Sequence, residues 1–131
     1  MKDRVLIDTS VWIDFFRKKD PELIKKIATL LESGSAAYTD IIALELINGA
    51  KGQKELQVLH DTFGIMEKIN ERQNTCFNAG KIGYELARKG HTFGVVDLLI
   101  AQIAIENGIT LMTHDNHFMV IAKHSELRLF Q

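Results

Sequence analysis

"LIDTSVWIDFF", Leu6 to Phe16, decides how the chain is read. The short apolar run that starts at Val5 has the length of a buried strand and ends on Asp8. Thr9 and Ser10 follow, both good helix-capping residues. From Val11 to Phe16 the residues Val11, Trp12, Phe15 and Phe16 share one face at helical spacing. A strand that passes into a helix across so short a junction is the start of an α/β unit. Asp8 then has two available roles. It can cap the helix, or it can be the first carboxylate of a site at the carboxyl end of a strand.

Outward from this junction the alternation continues. Asp20-Pro21-Glu22 opens a helix with Pro in its first turn, carried by Leu23, Ile24, Ile27, Leu30 and Leu31 and stopped at Ser33-Gly34. Ala36 to Thr39 reads as a second strand, and Asp40 as the cap of a helix through "IIALELINGAK". Further helices are expected from Lys54 to Phe63 and along "ERQNTCFNAGKIGYELARKG", closed by Gly90. "VVDLLIAQIAIENG" is apolar nearly all round, so it is expected at the centre of the fold, capped by Asp97 and stopped by Gly108. "ITLMT" is a strand, "HDNHFMVIAKH" turns into a short helix, and "LRLF" is a last strand. Strands that alternate with helices predict an α/β domain whose central sheet is mainly parallel and flanked by helices. At 131 residues, with one Pro and no linker or repeat, residues 1–131 are expected to form a single domain.

Composition narrows the classes. Apolar residues make up 46% and charged residues 25%, as in ordinary globular chains. No apolar run is long enough to span a bilayer, and Asp3 and Arg4 lead into a strand rather than a signal peptide. Cys76 is the only cysteine, which excludes an internal disulfide and a Cys-rich zinc site and points to the cytoplasm. A net charge of −1 does not mark a nucleic-acid binder, and the basic run Arg17, Lys18, Lys19 reads first as solvated surface. Trp12, Phe15 and Phe16 read first as core packing, with part of the patch lining a groove for a partner as the alternative.

The acids carry more information. In an open parallel sheet, ligands bind at the carboxyl ends of the strands. Asp8 and Asp115 each follow a strand, and Asp97 opens the helix that leads into "ITLMT". Each also reads as a helix cap. Glu45 lies in "IIALELI", where Ile41, Ile42, Asn48 and Gly49 occupy the pairing positions and no cation offsets it. A carboxylate in such surroundings needs a metal, a distant cation or water. Oxygen ligands suit Mg²⁺ or Mn²⁺. Acids gathered in one place repel, so in the metal-free protein at least one is expected to hold its proton more tightly than usual.

The ordered set "VLIDTSVWIDFF", "LELINGAK", "VVDLLIAQIA" and "LMTHDNHF" resembles the PIN-domain ribonucleases, and among them the VapC-type toxins of toxin–antitoxin pairs. The resemblance spans essentially the whole chain. It implies a PIN-like three-layer domain and an endoribonuclease that cleaves RNA phosphodiester bonds with a water activated by Mg²⁺, or by Mn²⁺ as a substitute. It implies Asp8, Glu45, Asp97 and Asp115 as the catalytic acids, with Asp8, Asp97 and Asp115 holding the metal. Ser10 and Thr113 match supporting hydroxyl positions, and Asn116 is a further supporting candidate. The implied partners are the RNA substrate, a small antitoxin protein and a second copy of the chain in a homodimer. Where family members often carry another acid, two residues beyond the one matching Asp115, this chain has His117.

Competing readings are kept beside this one. A strand ending in Asp also begins haloacid-dehalogenase-type phosphatases, which carry a second Asp where Ser10 stands here. Response-regulator receiver domains want adjacent early acids, but Ile7 precedes Asp8. The pairs His60-Asp61 and His114-Asp115 are similar to those of the all-helical HD phosphohydrolases, yet the second pair follows a strand. His60 reads as a surface residue of its helix, and His114 and His117 read first as exposed loop histidines, with a place at the site mouth in contact with phosphate as the alternative. A non-catalytic module that binds metal or a basic peptide is the non-enzymatic alternative.

Overall fold

The computed structural model describes residues 3–131. Met1 and Lys2, which begin the expected domain, lie outside the described residues. In chain order the elements are β1 (Val5–Ile7), α1 (Thr9–Phe16), α2 (Pro21–Glu32), β2 (Ala36–Tyr38), α3 (Asp40–Asn48), α4 (Gln53–Gly64), β3 (Glu67–Lys68), α5 (Thr75–Arg88), α6 (Val95–Glu106), β4 (Thr110–Met112) and α7 (His117–Lys123). Four strands form one sheet in the order β3-β2-β1-β4, every neighbour parallel, with helices flanking it in a three-layer α/β arrangement. No helix among the described residues is long and apolar enough to cross a membrane.

The topology places the site. The chain leaves β1 for β2 on one side and returns later to lay β4 on the other side of β1. The direction of winding therefore reverses between β1 and β4, and the carboxyl ends of those strands open a crevice. Register is fixed by the pairs Val5 with Thr110, Leu6 with Leu111 and Ile7 with Met112. Asp8 and Thr113 leave the sheet at the same level.

Val5, Leu6 and Ile7 are all buried, as a central parallel strand covered on both faces requires. α6 buries Leu98, Ile100, Ala101, Gln102, Ile103 and Ala104 and is central, as expected. α5 packs on it so closely that a Cβ at Gly83 would come within 2.6 Å of Leu98 Cδ1. Trp12 is fully buried and packs with Phe15 and Phe16. Gly34, Gly90 and Gly108, the expected helix stops, take φ of 73°, 91° and 63°, the left-handed conformation that ends a helix.

Some elements differ from the sequence reading. α3 is capped by Thr39, whose Oγ1 accepts from the Ile42 amide, while Asp40 lies inside the first turn and pairs with Lys68 at 3.4 Å. α5 starts at Thr75 rather than Glu71, because Thr75 Oγ1 accepts from the Arg72 amide at 2.7 Å and fixes a turn there. β3 is absent from the sequence pattern: its two residues, Glu67 and Lys68, are charged and exposed and are a strand only by backbone pairing with β2. "LRLF" contributes a single parallel bridge, Leu129 against Leu111, at the edge beyond β4.

Candidate active site

Asp8 takes both of the roles open to it. It is the N-cap of α1, in extended backbone conformation, and it is 5% exposed. Its own amide donates to the Met112 carbonyl at 2.9 Å, tying the end of β1 to β4. The carboxylate oxygen Oδ2 accepts from Ser10 Oγ at 2.7 Å, from Thr113 Oγ1 at 3.0 Å and from the Ser10 amide at 3.4 Å. These donors fix the carboxylate through one oxygen. Among the described residues Oδ1 accepts no hydrogen bond.

Thr113 and Ser10 also hold the loop that follows β4. Thr113 Oγ1 accepts from the Asp115 amide at 3.0 Å, and Ser10 Oγ accepts from the His114 amide at 3.0 Å. Asp115 Oδ1 in turn accepts from the His117 amide at 2.9 Å, a local turn that opens α7. Asp115 thus braces the start of α7 through the His117 amide.

Asp97 is different. The sequence predicts a helix cap here, but Gly94 holds that position and Asp97 lies in the first turn of α6, where its side chain does not cap the helix. Its side chain is 24% exposed and meets His117 Nδ1 at 3.3 Å. Burial pushes the Asp97 carboxyl above its ordinary pKa, and the charges of Asp115 and Asp8 push it the same way. The hydrogen bond and charge of His117 act in the opposite direction without cancelling the rise.

Asp97, Asp115 and His117 each offer a ligand atom, and those atoms lie within 4.8 Å of one another. His117 is exposed, as expected of a loop histidine, yet it also contacts both acids and stacks edge-on near Phe93. The sequence carried a signal for it: it occupies the position two residues past Asp115. Among the described residues no lysine or arginine pairs with Asp8, Asp97 or Asp115. Two carboxylates that converge beside the buried Asp8, with no paired cation, are oxygen donors that fit a hard divalent cation, while the His117 imidazole is a softer nitrogen donor at the edge of the cluster.

Glu45 stands apart from this cluster. α3 buries only Ile42 and Leu46, and Leu44 is 60% exposed, so the surroundings of Glu45 are half open rather than apolar. Its Oε1 accepts from Thr9 Oγ1 at 2.8 Å, which sets it one residue from Asp8. Asn116 occupies the N-cap position of α7, is exposed, and makes no side-chain capping bond. Asp14, which the sequence reading passed over, meets His114 Nδ1 at 2.6 Å beside the same loop.

Residues 5–124 match the family model of the PIN domain. Ribonuclease VapC11 of Mycobacterium tuberculosis is 30% identical over 128 residues, which cover 95% of this chain and 96% of that protein. The chain also superposes on solved VapBC structures. One is DNA-bound VapBC from Salmonella typhimurium, with a TM-score of 0.82, 23% identity and coverage of 98% and 97% of the two chains. Another is VapBC2 from Rickettsia felis bound to a promoter DNA fragment, with a TM-score of 0.78, 26% identity and 96% coverage of each chain. With the family model spanning nearly the whole chain and a VapC ribonuclease 30% identical along it, this chain belongs to the PIN-domain family, in its VapC-type group.

Proposed function

We propose that the chain is the endoribonuclease toxin of a toxin–antitoxin pair, and that its activity requires Mg²⁺ or Mn²⁺ held at the β1–β4 crevice. The observation that carries the metal requirement is the convergence of Asp97, Asp115 and His117 beside Asp8 without a paired lysine or arginine among the described residues. Asp8, Asp97 and Asp115 would hold the cation, with His117 as a further donor. When bound, the cation polarises the phosphodiester and offsets the charge that builds on its oxygens.

The chain's own residues supply the rest. Ser10 and Thr113 donate to one oxygen of Asp8 and so fix the carboxylate while leaving its other oxygen available to the cation. Glu45, outside the converging donors and held by Thr9, is the carboxylate left to accept a proton from the attacking water. No Ser or Cys nucleophile is required, and Ser10 acts on Asp8 rather than on phosphorus. The phosphatase-like alternative needs an acid where Ser10 stands, and Ser10 here is engaged with Asp8 and the His114 amide.

The VapC-type resemblance extends the proposal to a small antitoxin and a homodimer. A groove of about 370 Å³ opens beside Glu45, between α1, α3 and α4. An inhibitory tail with apolar anchors there and an Arg or Lys reaching the acids would silence the site. The test is direct. Purified chain freed of inhibitor should cut RNA with added Mg²⁺ or Mn²⁺ and stop with EDTA. Co-expression with the protein encoded next to it should give a stable, inactive complex. Cleavage that persists in EDTA would remove the metal requirement, and binding of metal without any turnover would favour the non-catalytic module.

A further inference from the structure

The acids of the crevice leave one contact on α1 without a role. Asp14 lies four residues beyond Ser10, so the two side chains share a face of the helix. Both hold His114. Ser10 Oγ accepts from its main-chain amide at 3.0 Å, and Asp14 Oδ2 meets its ring Nδ1 at 2.6 Å. A carboxylate can only accept, so the ring proton sits on Nδ1 and the imidazole donates, which a neutral ring does as well as a charged one. Asp14 is also 3.5 Å from the Arg17 guanidinium, which steadies it from the other side.

His114 is the middle of a short segment without regular structure. Thr113 before it donates to Asp8, and Asp115 after it is one of the converging donors. The segment therefore depends on side-chain ties to α1 for its place, and Asp14 supplies the outermost of them. We propose that Asp14 is a positioning residue: by holding the His114 ring it keeps Asp115 in place against Asp8 and Asp97, and so sets the affinity of the site for its divalent cation. The inference rests on the metal-dependent reading of the site above. Its competitor is an ordinary surface pair, since both side chains are about two-fifths exposed.

Calorimetric titration of Mn²⁺ into metal-free protein, alongside steady-state RNA cleavage, separates the two. The set is wild type, Asp14→Ala, His114→Ala, the double variant and His114→Asn, each checked for folding by circular dichroism. Asp14→Ala should weaken Mn²⁺ binding by up to about 10-fold, the low end of what a direct partner of a ligand costs, because Asp14 acts on Asp115 through His114. Its kcat should fall by a similar factor at low Mn²⁺ and recover as Mn²⁺ is raised, with KM for RNA little changed. His114→Ala should match it, and the double variant should be no worse than either single one. His114→Asn, whose amide nitrogen can stand where Nδ1 stood, should recover most of the loss. Unchanged Mn²⁺ affinity in both alanine variants, or losses that add in the double variant, would overturn the proposal. If the wild type binds Mn²⁺ but cuts no RNA, the nuclease reading fails while the calorimetry still decides the role of Asp14. If Asp14→Ala does not fold, His114→Ala and its Asn counterpart carry the same decision.

Discussion

The two walls of the crevice treat a carboxylate in opposite ways. On the β1 wall, Asp8 is nearly buried but receives two hydroxyls and a main-chain amide on one oxygen. On the α6 wall, Asp97 is more exposed, yet it has only the long contact to His117 and the repulsion of its neighbours. Burial alone therefore does not rank the acids. What ranks them is how many donors the local sequence supplies. Asp8 is followed by Ser10 and faces Thr113 across the register, whereas Asp97 is followed by Leu98 and Leu99, which serve the core. The fold anchors one acid and leaves the charge of the other disfavoured by burial and by its acidic neighbours.

Substitution at the strained acid gives the largest expected effect. Asp97→Asn should lower RNA cleavage by about 100-fold or more, beyond what an outer partner of a ligand costs. At neutral pH the same variant, without metal, should melt higher than wild type, because a charge disfavoured by burial first and by its acidic neighbours second is gone. A variant that cuts RNA at full rate, or that melts lower, would erase the distinction between the two walls.

The anchored acid should respond with the other sign. Asp8→Ala removes the cap of α1 and leaves the Ser10 and Thr113 hydroxyls without their acceptor, at a cost of about 1–3 kcal/mol in the metal-free protein. Asp8→Asn keeps an acceptor oxygen in place and should cost much less. Chemical denaturation of both variants in EDTA measures the difference. Mn²⁺ should raise the melting temperature of wild type and of neither Asp8→Ala nor Asp97→Asn to the same degree.

Acidity sharpens the contrast further. The Asp97 carboxyl has a pKa raised by folding, so the folded state holds its proton at a pH where the unfolded chain has lost it. Stability from this group is therefore present at low pH and is lost as pH rises from the ordinary carboxylate value through the raised one. The stability gap between Asp97→Asn and wild type should be small in acid and should open toward neutral pH, in EDTA. A gap that is flat with pH would mean that burial of Asp97 costs its charge nothing.

Much of this was legible in the chain because strand ends and helix starts are local. Val5 to Asp8 and "ITLMT" announce the crevice by apolar runs that end at or just before an acid, and the stops of α2, α5 and α6 fall on glycines that take positive φ. β3 was not legible, since Glu67 and Lys68 carry no strand pattern and pair only because β2 lies beside them. The surroundings of Glu45 were misjudged for a related reason. An apolar helix sequence does not say which face is covered, and here Leu44 and Ile47 are left exposed. His117 and Asp14 depend on contacts across the fold, so spacing along the chain could only hint at the first and was silent on the second.

The smallest effect is expected at Glu45, which falls between the two extremes with a single donor. Thr9 Oγ1 gives it a 2.8 Å hydrogen bond, and Thr9 is also the first helical residue of α1. Thr9→Val keeps the shape of the side chain and its χ1 preference but deletes the donor. Because Glu45 is half exposed, water can replace part of what is lost, so the cost should be about 0.5–1.5 kcal/mol. In a chain of this size that lowers the melting temperature by roughly 2–6 °C. Asp8 and Asp97 do not contact Thr9 Oγ1, so Mn²⁺ affinity should survive while cleavage falls modestly through a misplaced Glu45. Should Mn²⁺ affinity collapse together with cleavage in Thr9→Val, Glu45 belongs with the metal-holding acids and the division between anchored and strained walls has to be redrawn around it.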